Sequence, residues 1–245
     1  MSTQKPVASC VLLFGLTMAA TRGLSAVLET HFGYPPLGPM VYALTASVQL
    51  GLYAILQWSL KEFSVDDVMF AAIDDLLTPV RKSTGRKPAI LEFGSGPGTA
   101  RLCQDYTVYS VEHDAKWVNY IAASHYIHAP IVNFSQHKKP SADITMPESD
   151  LGWYDMSVIS KKLPATYDVI LVDGPPGHIG RHGFLLNLDS FDINVPIIID
   201  DVNRDAELDL LKQVAKRVGR PYAIRRYSGK AFGLIPAPGA PLPAW

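Results

Sequence analysis

Cysteine is scarce in this 245-residue chain: there are two, Cys10 and Cys103, and neither belongs to a CxxC or Cys/His cluster. That excludes a disulfide framework and a structural zinc site, and leaves two reduced, buried thiols as the expectation. An excess of charge of either sign is also missing, with 22 Lys and Arg against 23 Asp and Glu and a net charge of −1. No global field therefore favours nucleic acid. No basic stripe with interleaved aromatics occurs; the pairs Lys138-Lys139 and Lys161-Lys162 read as solvated loop charges. No GK[ST] follows a glycine-rich stretch, which excludes a P-loop, and no internal repeat is found. Charge of any sign is nearly absent from the first sixty residues, which hold only Lys5, Arg22 and Glu29, with none from Phe32 to Leu60. This asymmetry sets a boundary near Lys61, dividing an apolar helical segment, 1–61, from a main domain, 62–245.

Within the apolar segment, Val41–Leu60 has about the length of one bilayer crossing. Prolines 35, 36 and 39 precede it, Lys61-Glu62 follow, and Tyr42 and Trp58 stand near its ends, where interfacial aromatics belong. Val7–Thr21 is a second, shorter apolar stretch. Three readings are open. The first is a transmembrane helix, alone or in a hairpin, giving membrane association through residues 7–60 with the main domain cytoplasmic. The second is a helical cap or dimer interface on a cytoplasmic enzyme, which Thr45, Ser47, Gln49 and Gln57 favour. The third is a signal peptide, against which stand a weakly basic start and the lack of an A-x-A site.

From residue 64 the pattern becomes regular. Ser64–Lys82 is expected as an amphipathic helix capped by Ser64, with Asp67 at the capping-box spacing. Expected strands are Pro88–Phe93, Thr107–Glu112, Ala129–Phe134, Tyr167–Asp173 and Val195–Asp200. Expected helices are Ala115–His125, Gly183–Leu188 and Arg204–Val218, with Gln136–Lys162 irregular. Tyr222–Tyr227 and Ala231–Ile235 form a terminal hairpin around Ser228-Gly229-Lys230. Strands alternating with helices make an α/β doubly wound, mostly parallel sheet, whose ligand lies beyond the carboxyl ends of its strands. Glu92, Glu112, Asp173, Asp200 and Asp201 all fall at those ends.

The most informative stretch is ILEFGSGPGTARL, Ile90–Leu102. An apolar run ends in Glu92, then Gly94, Gly96 and Gly98 alternate with other residues and lead into a helix start. Glycine lets a ligand approach the backbone, and a helix N-terminus offers free N–H groups. Glu112, eighteen residues after Gly94 at the end of the second strand, can accept both hydroxyls of a ribose. An NAD site shares that logic, but the spacing here is GxGxG rather than GxGxxG. Glu92 would also repel a pyrophosphate while favouring a cation.

On these residues the chain resembles the class I S-adenosylmethionine-dependent methyltransferases, with LEFGSGPGT matching their first motif and YSVEHD their acidic second motif. The resemblance covers roughly Ser64 to Ile235. It implies a Rossmann-like, seven-stranded sheet with an antiparallel last strand. It implies too that Glu92, Gly94, Ser95 and Gly96, with Gly98 in the same loop, bind the amino-acid end of S-adenosylmethionine. Glu112 would hold the ribose and His113 would lie near the adenine.

Asp173 follows the fourth strand in VDGPPGHIGRHG, and Asp200-Asp201 follow the fifth in IIDDVNRDAE. Three gathered carboxylates repel one another unless a cation or proton intervenes, and oxygen-only ligands suit Mg²⁺ or Mn²⁺. This pattern is similar to that of metal-dependent sugar O-methyltransferases, which implies a metal at Asp173, Asp200 and Asp201 beside the acceptor hydroxyl. Against this stands a local reading, in which Asp200 or Asp201 caps the next helix and Asp173 orders the Gly-Pro-Pro turn. His178 and His182 are candidate bases alongside Asp173, Arg181 a candidate anchor for an anionic acceptor, and Asn203 a ligand or a cap. Trp153-Tyr154 are either an acceptor wall or packing residues. The expected activity is O-methylation of a small-molecule or saccharide hydroxyl, assisted by a divalent metal. An NAD-dependent oxidoreductase and a non-catalytic, membrane-tethered nucleotide-binding domain are the alternatives.

Overall fold

The computed structural model describes residues 66–134, 144–148 and 150–243. The first helix, α1 (Asp67–Thr84), is capped by Asp66, whose carboxylate accepts from the amides of Val68 and Met69. Ser64, the expected cap, lies outside the described residues. Met69, Ala72, Ile73 and Leu77 turn one face of α1 inward, as the helical spacing requires. The strands β1 (Ala89–Phe93) and β2 (Thr107–Glu112) flank α2 (Pro97–Asp105). Next come β3 (His125–His128), β4 (Ile131–Asn133), β5 (Gly152–Tyr154) and α3 (Met156–Lys162). The chain continues through β6 (Val169–Val172), the short α4 (Gly183–Leu186) and β7 (Ile197–Ile199). It ends with α5 (Asp205–Val218), β8 (Ala223–Tyr227) and β9 (Lys230–Ile235).

Seven strands form one sheet in the order β3-β2-β1-β6-β7-β9-β8. The pairs from β3 to β7 are parallel, and β9 enters antiparallel between β7 and β8. Strands β1, β6 and β7 are buried at every position, which is why β6 and β7 read as unbroken apolar runs and β1 does so up to Glu92. One face of the sheet carries Leu91, Phe93, Ile170 and Val172 against Trp153, Phe184, Leu210 and Val214. The other carries Ile90, Val108 and Leu171 against Met69, Ile73 and Leu77 of α1 and Leu102 of α2. The register pairs Phe93 with Val111 and Val172, and Val172 with Ile199. The chain ends following β1, β2, β6 and β7 therefore emerge along one edge.

Three expectations are corrected. Residues 115–124 form turns instead of a helix: Asp114 accepts from the amide of Lys116 and Asn119 takes a positive φ of 62°. Trp117 and Tyr120 remain exposed, so there is no buried stripe to hold a helix together. The third strand of the sheet is His125–His128, not Ala129–Phe134. At the sheet edge only Ile127 of this strand is buried, so its apolar signal is weak. Pro130 cannot donate to a ladder, and beyond it β4 leaves the sheet to pair antiparallel with β5. Gln136–Lys162, expected to be irregular, contains β5 and α3. The expectation of a transmembrane helix is corrected as well: among the described residues no helix is long and apolar enough to cross a membrane. The 18-residue α1 has the length, but Asp67, Asp74, Asp75, Arg81 and Lys82 interrupt it. The segments 7–21 and 41–60 lie outside the described residues.

Candidate active site

The glycine loop leaves β1 at Gly94, whose amide donates to Val111 O of the neighbouring strand over 2.9 Å. Gly94 has φ +87°, and a Cβ there would stand 2.8 Å from the Gly174 Cα. Both the backbone conformation and the contact with fixed backbone require glycine. Gly96 caps α2, Pro97 opens it, and the Thr99 hydroxyl accepts from the Gly96 amide. Gly98 is buried in the first turn of α2.

Glu92 lies under this loop rather than on its outer face. It is 2% exposed and accepts from Ser110 Oγ at 2.6 Å and Thr99 Oγ1 at 2.9 Å. Burial pushes its carboxyl up to about 7 despite the two hydroxyls, and the charge of Glu112 adds to the effect. Glu112 behaves oppositely. Burial alone would raise its pKa, yet the His113 ring and the amides of Asp114 and Ser95 hold it below the ordinary carboxylate value. Its Oε1 takes the amides of His113 and Asp114, and its Oε2 takes the Ser95 amide at 2.9 Å. The His113 ring nitrogen Nδ1 stands 2.9 Å from Oε1 without the alignment of a hydrogen bond. Ser95 Oγ meets Tyr126 Oη at 2.7 Å. Thus Glu92, Gly94, Ser95, Gly96, Glu112 and His113 come together at the mouth of the sheet.

The acids of β6 and β7 also converge. Carboxylate oxygens of Asp173, Asp200 and Asp201 lie within 4.8 Å of one another. Arg181 reaches between them: its Nη2 is 3.0 Å from Asp201 Oδ2 and 3.4 Å from Asp173 Oδ1. The same guanidinium donates to the carbonyls of Asp173, Pro175 and Asp200. At 4% exposure, with its donors engaged, Arg181 holds the site together and is not a free anchor for an anionic acceptor. Arg204 adds a contact of 3.1 Å to Asp201 and one of 3.8 Å to Glu207. Four carboxylates thus face two guanidinium groups. Burial raises Asp173 to about 6, with Arg181 partly opposing and the Asp201 charge adding. Burial and the neighbouring Asp173 raise Asp200 well above its usual range. A hard divalent cation fits this all-oxygen, charge-excess set. The capping alternative does not account for it, since the residue capping α5 is Arg204, with no side-chain cap bond. Asn203 is not that cap either. Asp201 adopts φ 61°, an uncommon conformation that clusters at functional sites.

The two histidines separate. His178 is exposed on the loop after β6. His182 is 1% exposed, with Nδ1 3.0 Å from Asp150 Oδ2 and Nε2 3.2 Å from Asp209 Oδ2. A base needs a free nitrogen within reach of its proton, and both ring nitrogens of His182 are engaged by carboxylates. Trp153 and Tyr154 are both fully buried. The residues that sequence reasoning missed are Thr99 and Ser110 around Glu92, Tyr126 beside Ser95, and Asp150 and Asp209 around His182. Thr99 alone left a signal, three residues after the Gly96 cap where a capping partner stands.

No family model matches the chain and no curated protein matches it. Among solved structures, a Staphylococcus aureus protein assigned as a caffeoyl-CoA O-methyltransferase is 13% identical, with TM-score 0.43, over 79% of this chain and 100% of that one. The MycE methyltransferase of the mycinamycin biosynthetic pathway, solved with Mg and SAH, is 16% identical, with TM-score 0.42, over 76% of this chain and 51% of that one. The SAH-bound methyltransferase PaMTH1 of Podospora anserina is 14% identical, with TM-score 0.37, over 66% of this chain and 76% of that one. What decides the fold is the strand order, with one antiparallel strand inserted beside the last. It is the Rossmann-like methyltransferase fold. In this fold the Gly94 loop and the Asp173 loop lie side by side beyond the carboxyl ends of β1 and β6, as topology requires of adjacent strand ends.

Proposed function

We propose that the chain is an S-adenosylmethionine-dependent methyltransferase acting on a hydroxyl of a small-molecule or saccharide acceptor, with a divalent metal held by Asp173, Asp200 and Asp201. The observation that supports this best is the pairing of two neighbouring devices. One is a glycine cradle that Glu112 closes through the Ser95 amide. The other is a cluster of three acids one strand away.

The cofactor supplies a methyl group on a cationic sulfur. Glu112 has one oxygen, Oε2, with a single amide donor, which leaves it capacity to accept from a ribose hydroxyl. Gly94 and Gly174 let the loops after β1 and β6 pack backbone to backbone. A metal at the acid cluster would lower the pKa of an acceptor hydroxyl. Asp173, Asp200 and Asp201 orient the acceptor there, with Arg181 fixing their spacing. His178, exposed five residues beyond Asp173, takes the hydroxyl proton. Alignment of the acceptor oxygen by the cluster accounts for much of the rate.

Titration calorimetry with S-adenosylhomocysteine and with NAD tests the reading. Binding of the first and not of the second is expected, and Glu112→Ala should weaken it more than tenfold, consistent with loss of a charge-assisted hydrogen bond. Preference for NAD would overturn the reading. Activity that survives both EDTA and Asp173→Ala would overturn the metal.

A further inference from the structure

A hydroxyl carries a single proton, so a run of hydroxyls that ends on an ionised carboxylate has one arrangement of donors. Such a run crosses the mouth of the sheet. Thr99 Oγ1 gives its proton to Glu92, standing 2.9 Å and 3.1 Å from the two carboxylate oxygens. It must therefore accept at its 3.3 Å contact with Ser95 Oγ. The Ser95 proton is spent there, so Ser95 accepts from Tyr126 Oη at 2.7 Å. The phenol oxygen in turn accepts from the Ile121 amide at 3.2 Å. Ile121, Tyr126, Ser95, Thr99 and Glu92 thus form a directed chain. It starts at a backbone N–H that can only donate and ends at a carboxylate that, once ionised, can only accept.

Tyr126, on β3, joins two loops of different origin in this chain. Ser95 belongs to the glycine loop after β1, and its amide donates to Glu112 Oε2 at 2.9 Å. Ile121 belongs to the turns that follow β2, which carry the exposed Trp117 and Tyr120. A second tie, from Ser124 Oγ to Val108 O at 3.1 Å and to Ser110 Oγ at 2.7 Å, lies at the foot of the same turns. Glu112 is flanked by both loops, by one through the Ser95 amide and by the other because it is the residue from which those turns depart. Burial raises the pKa of the Tyr126 phenol, with its bonds to Ser95 and Ile121 opposing. Phenylalanine would fill the same place in the strand and release both loops at once.

We infer that Tyr126 is a positioning residue for the cofactor: its hydroxyl pins the glycine loop at Ser95 and the turns after β2 at Ile121 in one geometry, and so holds Glu112 ready between them. The inference rests on the methyltransferase reading. No contact between Tyr126 and the ligand is required, because the effect passes through Ser95, whose two hydrogen-bonding groups face Glu112 on one side and Tyr126 and Thr99 on the other. A hydrogen-bonded network of this kind is apportioned by a double-mutant cycle.

The test measures binding of S-adenosylhomocysteine by calorimetry, well below every melting transition, for the full chain, Tyr126→Phe, Ser95→Ala and the double variant, together with the unliganded melting temperatures. Each single substitution should weaken binding about three- to tenfold, the value of one hydrogen bond. The double variant should bind no more weakly than the weaker single, because both substitutions break the same link. A merely structural hydroxyl would lower the melting temperature of Tyr126→Phe and leave the affinity of the folded protein unchanged, and that result would overturn the inference. Losses that multiply in the double variant would overturn it too, since the two hydroxyls would then act separately. So would failure of Tyr126→Phe to fold, and unchanged affinity in Ser95→Ala would do so whether or not Tyr126→Phe folds. A wild-type chain that binds no S-adenosylhomocysteine ends the methyltransferase reading itself and this inference with it.

Discussion

Replacing Glu92 by glutamine should stabilise the protein at alkaline pH and leave it unchanged in acid. Glu92 is 2% exposed, and its carboxyl is pushed up from 4.5 to about 7, first by burial. The folded state therefore retains a proton that the unfolded chain releases near pH 4.5. With more protons bound to the folded state, stability must fall as pH rises. The loss begins near 4.5 and is complete a little above 7. The two values differ by about 2.5 units, and at 1.36 kcal/mol per unit the ionised carboxylate costs the fold about 3 kcal/mol. Glutamine matches the shape without the charge, and the hydroxyls of Ser110 and Thr99 can reverse direction to accept from its amide. For a domain of this size, about 3 kcal/mol corresponds to a melting temperature roughly 6–12 °C higher. Melting curves of both proteins from pH 4.5 to 9 give the measurement. The profiles should coincide at the acid end and separate through pH 5–7. Parallel profiles, or a variant less stable at pH 8.5 than at pH 5 by as much as the wild type, would refute the reasoning.

Gly94→Ala forces a side chain into a φ of +87° and against the Gly174 backbone. It should destabilise the fold by about 2 kcal/mol or more and abolish cofactor binding, as chemical denaturation and calorimetry would show. His182→Ala strips a buried partner from Asp150 and should cost about 2–4 kcal/mol. His178→Ala should leave the melting temperature within a degree or two while lowering turnover, and the reverse pattern would exchange their roles. To bind the acid cluster, Mg²⁺ would have to displace the protons that burial holds on Asp173, up to about pH 6, and on Asp200. Its affinity should accordingly rise as pH rises from about 5, with proton release measurable by calorimetry in buffers of different ionisation enthalpy.

The interior of this fold was legible because its strands are strongly marked. The runs at β6 and β7 are apolar on both faces and that at β1 is apolar but for Glu92, and Asp173 and Asp200 fall where the chain emerges from the sheet. The edge was not legible. His125–His128 has one buried side chain, so the periodicity that identifies a strand was absent, and an adjacent apolar segment took its place in the reading. The glycine loop and Glu112 were legible from spacing alone. The burial of Glu92 was not, because its two hydroxyl partners come from different elements, Ser110 on β2 and Thr99 on α2. The same holds for His182: nothing in the sequence connects it to Asp150, 32 residues earlier, or Asp209, 27 later.

Arg181 gives the acid cluster a property that three carboxylates alone would lack. One planar group ties the peptide backbone on both sides of the cleft, at Asp173 and Pro175 on one strand exit and at Asp200 on the next. The two exits cannot drift apart independently, so the gap between their acids is fixed before anything enters it. Lysine at this position would keep the charge but grip only one bank, and the acids would be free to spread. The chain thus carries a rigid internal cross-tie between the loops that follow β6 and β7.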